Sequence, residues 1–153
     1  MTVSSGKVLD MQRKEKLRAE LEQISTANVS VEKGIEGDLR GVMKDAQISL
    51  VSKEAWSDAM KDLKPTRDVT WNERRANIFV DGMEFNESTG AIVTIGDVVL
   101  EVMSETDPCD IMDAAYEGLK DALMPDWRGG ARTRVLKPGV IRIGDTVTME
   151  RPA

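Results

Sequence analysis

Two corners of the same kind frame this chain. Ile95-Gly96-Asp97 and Ile143-Gly144-Asp145 each join two runs rich in β-branched residues. Ala91-Ile92-Val93-Thr94-Ile95 and Val98-Val99-Leu100-Glu101-Val102 flank the first. Val140-Ile141-Arg142-Ile143 and Thr146-Val147-Thr148-Met149 flank the second. Such runs, parted by Gly-Asp, read as strands that reverse at a tight turn. Shorter segments of the same character recur upstream: Lys7-Val8-Leu9-Asp10-Met11, Asn28-Val29-Ser30-Val31-Glu32, Ala46-Gln47-Ile48-Ser49-Leu50-Val51, and Ala76-Asn77-Ile78-Phe79-Val80 closed by Asp81-Gly82. Many short strands, few helices and no strand–helix–strand rhythm predict a mostly β domain with minor α, either a barrel or a sandwich.

Two helices interrupt the strands. Ser52 is a good N-cap for a helix through about Leu63, and Trp56, Ala59, Met60 and Leu63 share a face that reads as core packing. Lys64-Pro65 ends it. The second helix is expected from the first turn after Asp107 to Met124, with Ile111, Ala115, Leu119, Ala122 and Leu123 as its apolar stripe and Pro125 as its stop. Residues 12–22 are highly charged and read as a short helix or a solvated excursion, with the excursion preferred.

A chain of 153 residues is long enough for one real core. Aromatics are only 4%, so aliphatic and Met side chains must fill it. The net charge of −6 argues against nucleic acid as a partner. No stretch is apolar enough to cross a membrane, and Met1-Thr2-Val3-Ser4-Ser5-Gly6 lacks the apolar core of a signal peptide. A single cysteine excludes an internal disulfide, a Cys-x-x-Cys pair and a multi-cysteine zinc site, and fits a reducing, cytoplasmic setting. There is no histidine, so Ser-His-Asp and Cys-His pairs and imidazole metal sites are excluded within one chain. Chemistry performed by this chain alone must use Cys109, carboxylates, Lys, Arg or Tyr116.

Cys109 follows Asp107-Pro108, a plausible N-cap and first helical residue, which places the thiol in the first turn. Unpaired backbone N–H groups favour an anion there. The charges of Glu105, Asp107, Asp110 and Asp113 oppose one. Cationic candidates come from two places. Arg74 and Arg75 are either a solvated pair or the wall of a pocket where a guanidinium holds a phosphate or carboxylate. Arg128, Arg132 and Arg134 surround Gly129-Gly130 in a loop that reads equally as a phosphate cradle or a plain hairpin connection. Three glycines within residues 34–41 make another tight loop, a turn or a backbone cradle.

Seven segments, in order, resemble the MOSC domain family, named for the C-terminal domain of molybdenum-cofactor sulfurase. They are Gly34-Ile35-Glu36-Gly37-Asp38, Gln47-Ile48-Ser49-Leu50, Arg75-Ala76-Asn77-Ile78 with Gly82, Ile95-Gly96-Asp97, Pro108-Cys109, Arg128-Gly129-Gly130, and Gly139-Val140-Ile141-Arg142-Ile143-Gly144-Asp145. The resemblance spans residues 6–150 as a single domain and implies a closed or partly open β-barrel with a few short helices. It implies that Cys109 handles persulfide sulfur, received from a pyridoxal-phosphate-dependent cysteine desulfurase and passed to the molybdenum cofactor or a molybdenum-cofactor enzyme. In related reductases the equivalent cysteine ligates molybdenum on a pterin, which would make Cys109 a metal ligand. The resemblance points to Asp38, Arg74, Arg75, Asn77, Arg128, Gly130 and Arg132 as cofactor contacts. The further domains of family sulfurases and reductases have no counterpart here, so pyridoxal phosphate would enter only through a partner. Leu39 stands where many relatives have a polar residue. A scaffold in which Cys109 is an inert, buried small side chain is the remaining reading.

Overall fold

The computed structural model describes residues 3–153; Met1 and Thr2, the start of the segment examined above for a leader, lie outside the described residues. Strands β1 (Val3–Arg13), β5 (Ile48–Ser52), β6 (Ile78–Val80), β7 (Ile92–Ile95), β8 (Val98–Glu105), β9 (Ala131–Lys137) and β11 (Thr146–Glu150) form one sheet. Its order is β11-β7-β8-β9-β5-β6-β1, and β11 also pairs with β1, so the sheet closes into a seven-stranded barrel. Closure removes the exposed edges that an open sheet of this size would carry. A two-residue strand β2 (Glu22–Gln23) extends β1, while β3 (Thr26–Ser30), β4 (Gly34–Ile35) and β10 (Gly139–Arg142) make a small second sheet.

Alternation decides the inside. Along β9, Ala131, Thr133 and Val135 are buried while Arg132 and Arg134 are half-exposed. The barrel fills with aliphatic and Met side chains, among them Met11, Ile48, Leu50, Ile78, Ile95, Leu100 and Met149, as the scarcity of aromatics requires. A second apolar cluster lies outside, where α1 (Lys53–Leu63), α2 (Asp110–Ala115), α3 (Leu119–Leu123) and the 3-10 turn Trp71–Arg74 cover one wall. Trp56 and Ala59 of α1 pack there, with Met60 and Leu63 partly buried beside them. Ser52 Oγ accepts the Ala55 N–H at 3.1 Å, and Lys64 leaves the helix in the left-handed region at φ 49°, so α1 begins and ends as its sequence indicates. The Gly96-Asp97 corner is a two-residue hairpin loop between Ile95 and Val98. It packs against the other corner: a Cβ on Gly96 would sit 3.3 Å from the Asp145 carboxylate.

The expected absence of a strand–helix–strand unit does not hold. β5 and β6 pair in parallel, and α1 and the turn Trp71–Arg74 form the connection between them. Parallel neighbours need a long crossover, and burying the Trp56 face of α1 against the outside of the barrel supplies one. Strand limits also move. β1 runs from Val3 rather than Lys7, with a bulge between Val8 and Asp10, and the second expected strand shifts to Thr26–Ser30. Residues 14–21 form no regular element, as expected of a solvated excursion, but Gln12 at its root is buried, donating to Asn72 O and Ala76 O.

Candidate functional site

Cys109 is exposed and is the N-cap residue of α2, at φ −130° and ψ 179°. Neither Asp107 nor Pro108 takes the helical position expected of it. The chain is still bound to the barrel at Thr106, whose N–H donates to Gly130 O at 2.9 Å, so the backbone stays extended until it is released past Pro108. The Cys109 side chain accepts no backbone N–H, so the expected support of a thiolate by a helical first turn is not what this segment provides. The long helix expected after it is broken in two. Tyr116 is extended and Gly118 is left-handed at φ 90°, because the Tyr116 hydroxyl takes the Thr66 N–H at 2.8 Å and the ring lies 5.1 Å from the Arg67 guanidinium. The break rotates the buried stripe: Met112 is buried, whereas Ile111, counted in that stripe, is 51% exposed.

The cation coupled to the thiol is Arg74. Arg74, at the end of its 3-10 turn, is only 6% exposed. Its Nε donates to Gly129 O at 2.9 Å, Nη2 to Thr106 O at 3.4 Å, and Nη1 reaches Met112 Sδ at 3.9 Å. No carboxylate pairs with it among the described residues. Buried charges are normally paired, so this guanidinium is conspicuous. Burial pulls its pKa down to about 10; Cys109 acts in the opposite direction, and the nearby positive charges of Arg40 and Arg132 lower it further. Arg74 is thus coupled both to the thiol and to two further guanidinium groups. Thr106 Oγ1, in the same wall, is buried with no hydrogen-bond partner among the described residues.

The other sequence candidates separate into two groups. Arg132 points outward from β9, between Ser49 and Ser104 of the neighbouring strands, and has no carboxylate partner among the described residues. Arg75, left-handed at φ 67° and exposed, lines a pocket of about 80 Å³ with Lys14, Asp38, Leu39, Arg40 and Asn77. Asn77 is buried and largely spent on structure, accepting from Ser49 N at 3.0 Å and donating to Gln12 O at 3.2 Å. Asp38 accepts the backbone N–H groups of Lys14 and Arg40 and thereby shapes the loop that carries Arg40. Arg128 turns away, with Nη1 on Asp62 Oδ2 at 2.6 Å and on Ala122 O at 3.0 Å. Gly130, at φ 102°, is a packing residue: a Cβ there would stand 2.1 Å from Leu50 O. The glycines of residues 34–41 also serve close packing, since a Cβ on Gly41 would meet Lys33 O at 1.6 Å.

Lys14 and Arg40 were not anticipated. Lys14 sits in a charge run with nothing to distinguish it. Arg40 had one available signal, its place between Gly37 and Gly41 in a loop of special shape.

A closed barrel carrying an exposed cysteine beside a buried, unpaired guanidinium defines the architecture to be matched. The family model described as the MOSC domain matches residues 22–148. The chain belongs to the MOSC domain family. Among solved structures, the YuaD protein from Bacillus subtilis is similar at 19% identity and a TM-score of 0.81, over 99% of both chains. YiiM from Escherichia coli is similar at 16% identity and 0.71, over 96% of this chain and 71% of that one. YiiM from Geobacillus stearothermophilus is similar at 17% and 0.68, over 94% and 73%. No curated protein matches the chain. No helix among the described residues is long and apolar enough to cross a membrane.

Proposed function

We propose that this MOSC domain carries sulfur: Cys109 accepts sulfane sulfur as a persulfide and gives it up to an acceptor that builds a metal–sulfur cofactor. The observation that carries this reading is Arg74, a buried guanidinium without a carboxylate, placed in the field of an exposed thiol. A cation held dry and unpaired is stabilising only once an anion arrives. The reading of Cys109 as a buried, inert side chain loses its premise, because the residue is exposed.

The chemistry is an exchange between sulfur atoms. The Cys109 thiolate attacks the terminal sulfur of a persulfide on the donor protein. A new S–S bond forms on Cys109, the donor's S–S bond breaks, and its thiolate leaves with the electron pair. No outside oxidant is needed. Arg74 stabilises the anion before and after transfer. The donor, a pyridoxal-phosphate-dependent cysteine desulfurase, would dock over the exposed cysteine.

The same residues fit an anionic cofactor such as the molybdenum cofactor. Cys109 offers a soft sulfur ligand, Thr106 Oγ1 a buried polar atom without a partner among the described residues, and Arg75, Arg132 and Arg40 cations for a phosphate. When bound, that group would supply oxygen-atom or sulfur transfer at the metal, and Cys109 would be its ligand. The unpartnered Thr106 Oγ1 favours this second reading, since a persulfide alone does not require it.

The deciding experiment charges the purified protein with sulfane sulfur from a cysteine desulfurase and L-cysteine, and separately measures bound molybdenum and pterin. Metal-free protein that gains one labile sulfur, lost in Cys109→Ser, supports the carrier. Stoichiometric metal and pterin would replace it with the cofactor-binding reading. Thiol labelling only after denaturation would sink both.

A further inference from the structure

We propose that Gln12 is a positioning residue: its side-chain amide holds the Trp71–Arg74 turn so that the Arg74 guanidinium stays in the field of the Cys109 thiol. Gln12 never touches sulfur, and its role rests on the sulfur-carrier reading of Cys109. The ladder between β1 and β6 runs as far as Met11 with Ile78, and one further bond, Gln12 N–H to Asn77 O at 2.8 Å, ends it. Among the described residues, none from Trp71 to Ala76 belongs to a strand. The turn that carries Arg74 therefore lies where main-chain pairing has stopped. The Gln12 side chain takes over at that point.

One amide spans the turn. Gln12 Nε2 donates to Asn72 O at 3.2 Å and to Ala76 O at 2.8 Å, while Gln12 Oε1 accepts from Asn72 Nδ2 at 2.9 Å. The two carbonyls lie on either side of Arg74 in the chain. Asn77 closes the bracket. Its Nδ2 donates to Gln12 O at 3.2 Å, and its backbone N–H meets the Ser49 hydroxyl at 3.1 Å. Between these ties Arg75 is left-handed at φ 67°, a conformation that a non-glycine residue keeps only where its surroundings enforce it. Of the two consecutive arginines, Arg74 is buried and Arg75 exposed.

Packing alone does not call for an amide here. Gln12 is 1% exposed, and its neighbour Met11 is fully buried and apolar. An apolar side chain would fill the same space without the cost of taking an amide out of water. What the amide supplies is direction, because its bonds are all made in only one arrangement of residues 72–76. Arg74 depends on that arrangement. Its contacts from Nη2 to Thr106 O, at 3.4 Å, and from Nη1 to Met112 Sδ, at 3.9 Å, are both long for their kind, so a small shift of the turn undoes them. The bond from Nε to Gly129 O, at 2.9 Å, is then the one firm tie left. A guanidinium released from the other two turns toward solvent, where screening weakens its field at the sulfur.

Alkylation of Cys109 by iodoacetate and by iodoacetamide tests this in the full-length protein at neutral pH. Both reagents consume the same thiolate, so the ratio of their rates reads the charge around the sulfur and not its exposure or ionisation. Glu105, Asp107, Asp110 and Asp113 are the same in every variant. Arg74→Met should lower the ratio of iodoacetate to iodoacetamide rates, since a cation near the sulfur draws the anionic reagent. Gln12→Met keeps the length of the side chain and loses its hydrogen bonds. It should lower the ratio by the same factor as Arg74→Met, and should add nothing in the Arg74→Met background. Asn72→Ala removes only the bond to Gln12 Oε1, at a half-buried residue, and should lower the ratio in part; it carries the test if Gln12→Met does not fold. Ser52→Ala, which removes the cap of α1, should lower the unfolding midpoint and leave the ratio unchanged. A wild-type ratio in Gln12→Met and Asn72→Ala, beside a lowered one in Arg74→Met, would overturn the proposal and leave the carrier reading standing. A further fall in the double variant, or a lowered ratio in Ser52→Ala, would overturn it too. A wild-type ratio in Arg74→Met would remove both this role of Gln12 and the support that Arg74 lends the carrier reading. Persulfide charging of Cys109 decides the carrier reading by itself, whichever ratio is found.

Discussion

Arg74 and Arg128 are both tied to the Gly129-Gly130 turn, one through a hydrogen bond to Gly129 O and the other as its neighbour in the chain. Arg128 adjoins it in sequence and reaches out to Asp62, an ordinary ion pair with one exposed partner, where solvent screens both charges. Arg74 comes from a distant turn, donates to Gly129 O and Thr106 O, and has no carboxylate partner among the described residues. Both hold loops together, but only Arg74 keeps a cost in the folded state that a ligand anion can relieve. The difference teaches where to look for function in a basic loop: the arginine that lacks an acid marks the site, not the one nearest the glycines.

Breaking the turn itself should have the largest effect. Gly130→Ala places a methyl against the Leu50 carbonyl in a left-handed residue, and should cost about 3 kcal/mol or more in denaturant unfolding, disturbing both arginines together. Next comes the pH dependence of Arg74. Its folded-state pKa of about 10 lies below the ordinary arginine range. The stability of wild type relative to Arg74→Met should therefore rise as pH climbs past about 10, by about 1.4 kcal/mol at pH 11, and that gain should vanish as pH falls back through 10. Unfolding of the two proteins in parallel at pH 8 and pH 11 checks the sign; an unchanged difference would mean that the guanidinium is well solvated.

At neutral pH the same substitution should change stability little. Leaving two carbonyls unpaired costs about 1–3 kcal/mol each, and removing a dry cation returns a similar amount. The alkylation rate of Cys109 should nevertheless fall, because Arg74 is a cation coupled to the thiol. Arg128→Ala should do the reverse, costing about 1 kcal/mol while leaving the alkylation rate unchanged. Cys109→Ser should shift the unfolding midpoint least, within about 0.5 kcal/mol, as suits an exposed side chain. A slowed alkylation rate in Arg128→Ala would erase the contrast between the two arginines.

Much of the barrel was legible because its signals are local. The β-branched runs on either side of Gly96-Asp97 became β7 and β8, paired through a two-residue loop, and Ser52 caps α1 as its side chain requires. The parallel β5–β6 pair was not legible, since nothing within either strand reports which neighbour it meets. Nor was the break at Tyr116: residues 110–124 have the composition of one helix, and a hydroxyl reaching residue 66 divides it. At the site, the cysteine and the arginines were visible as residue types. Their division into paired and unpaired charges was not, because Arg128 finds its acid 66 positions away and Arg74 its carbonyls 55 and 32 away.

By itself the sequence determined the chemical inventory: one thiol, no imidazole, a surplus of acid, and alternation that makes strands with one buried face. Those properties belong to single residues or to neighbours along the chain. Tertiary structure alone decided that the thiol stays at the surface, that Arg74 is buried beside it without an acid, and that Lys14 and Arg40 share a pocket with Arg75. Burial and the field at a point depend on every group within several ångströms, and closing the barrel brings those groups together from segments far apart in the chain.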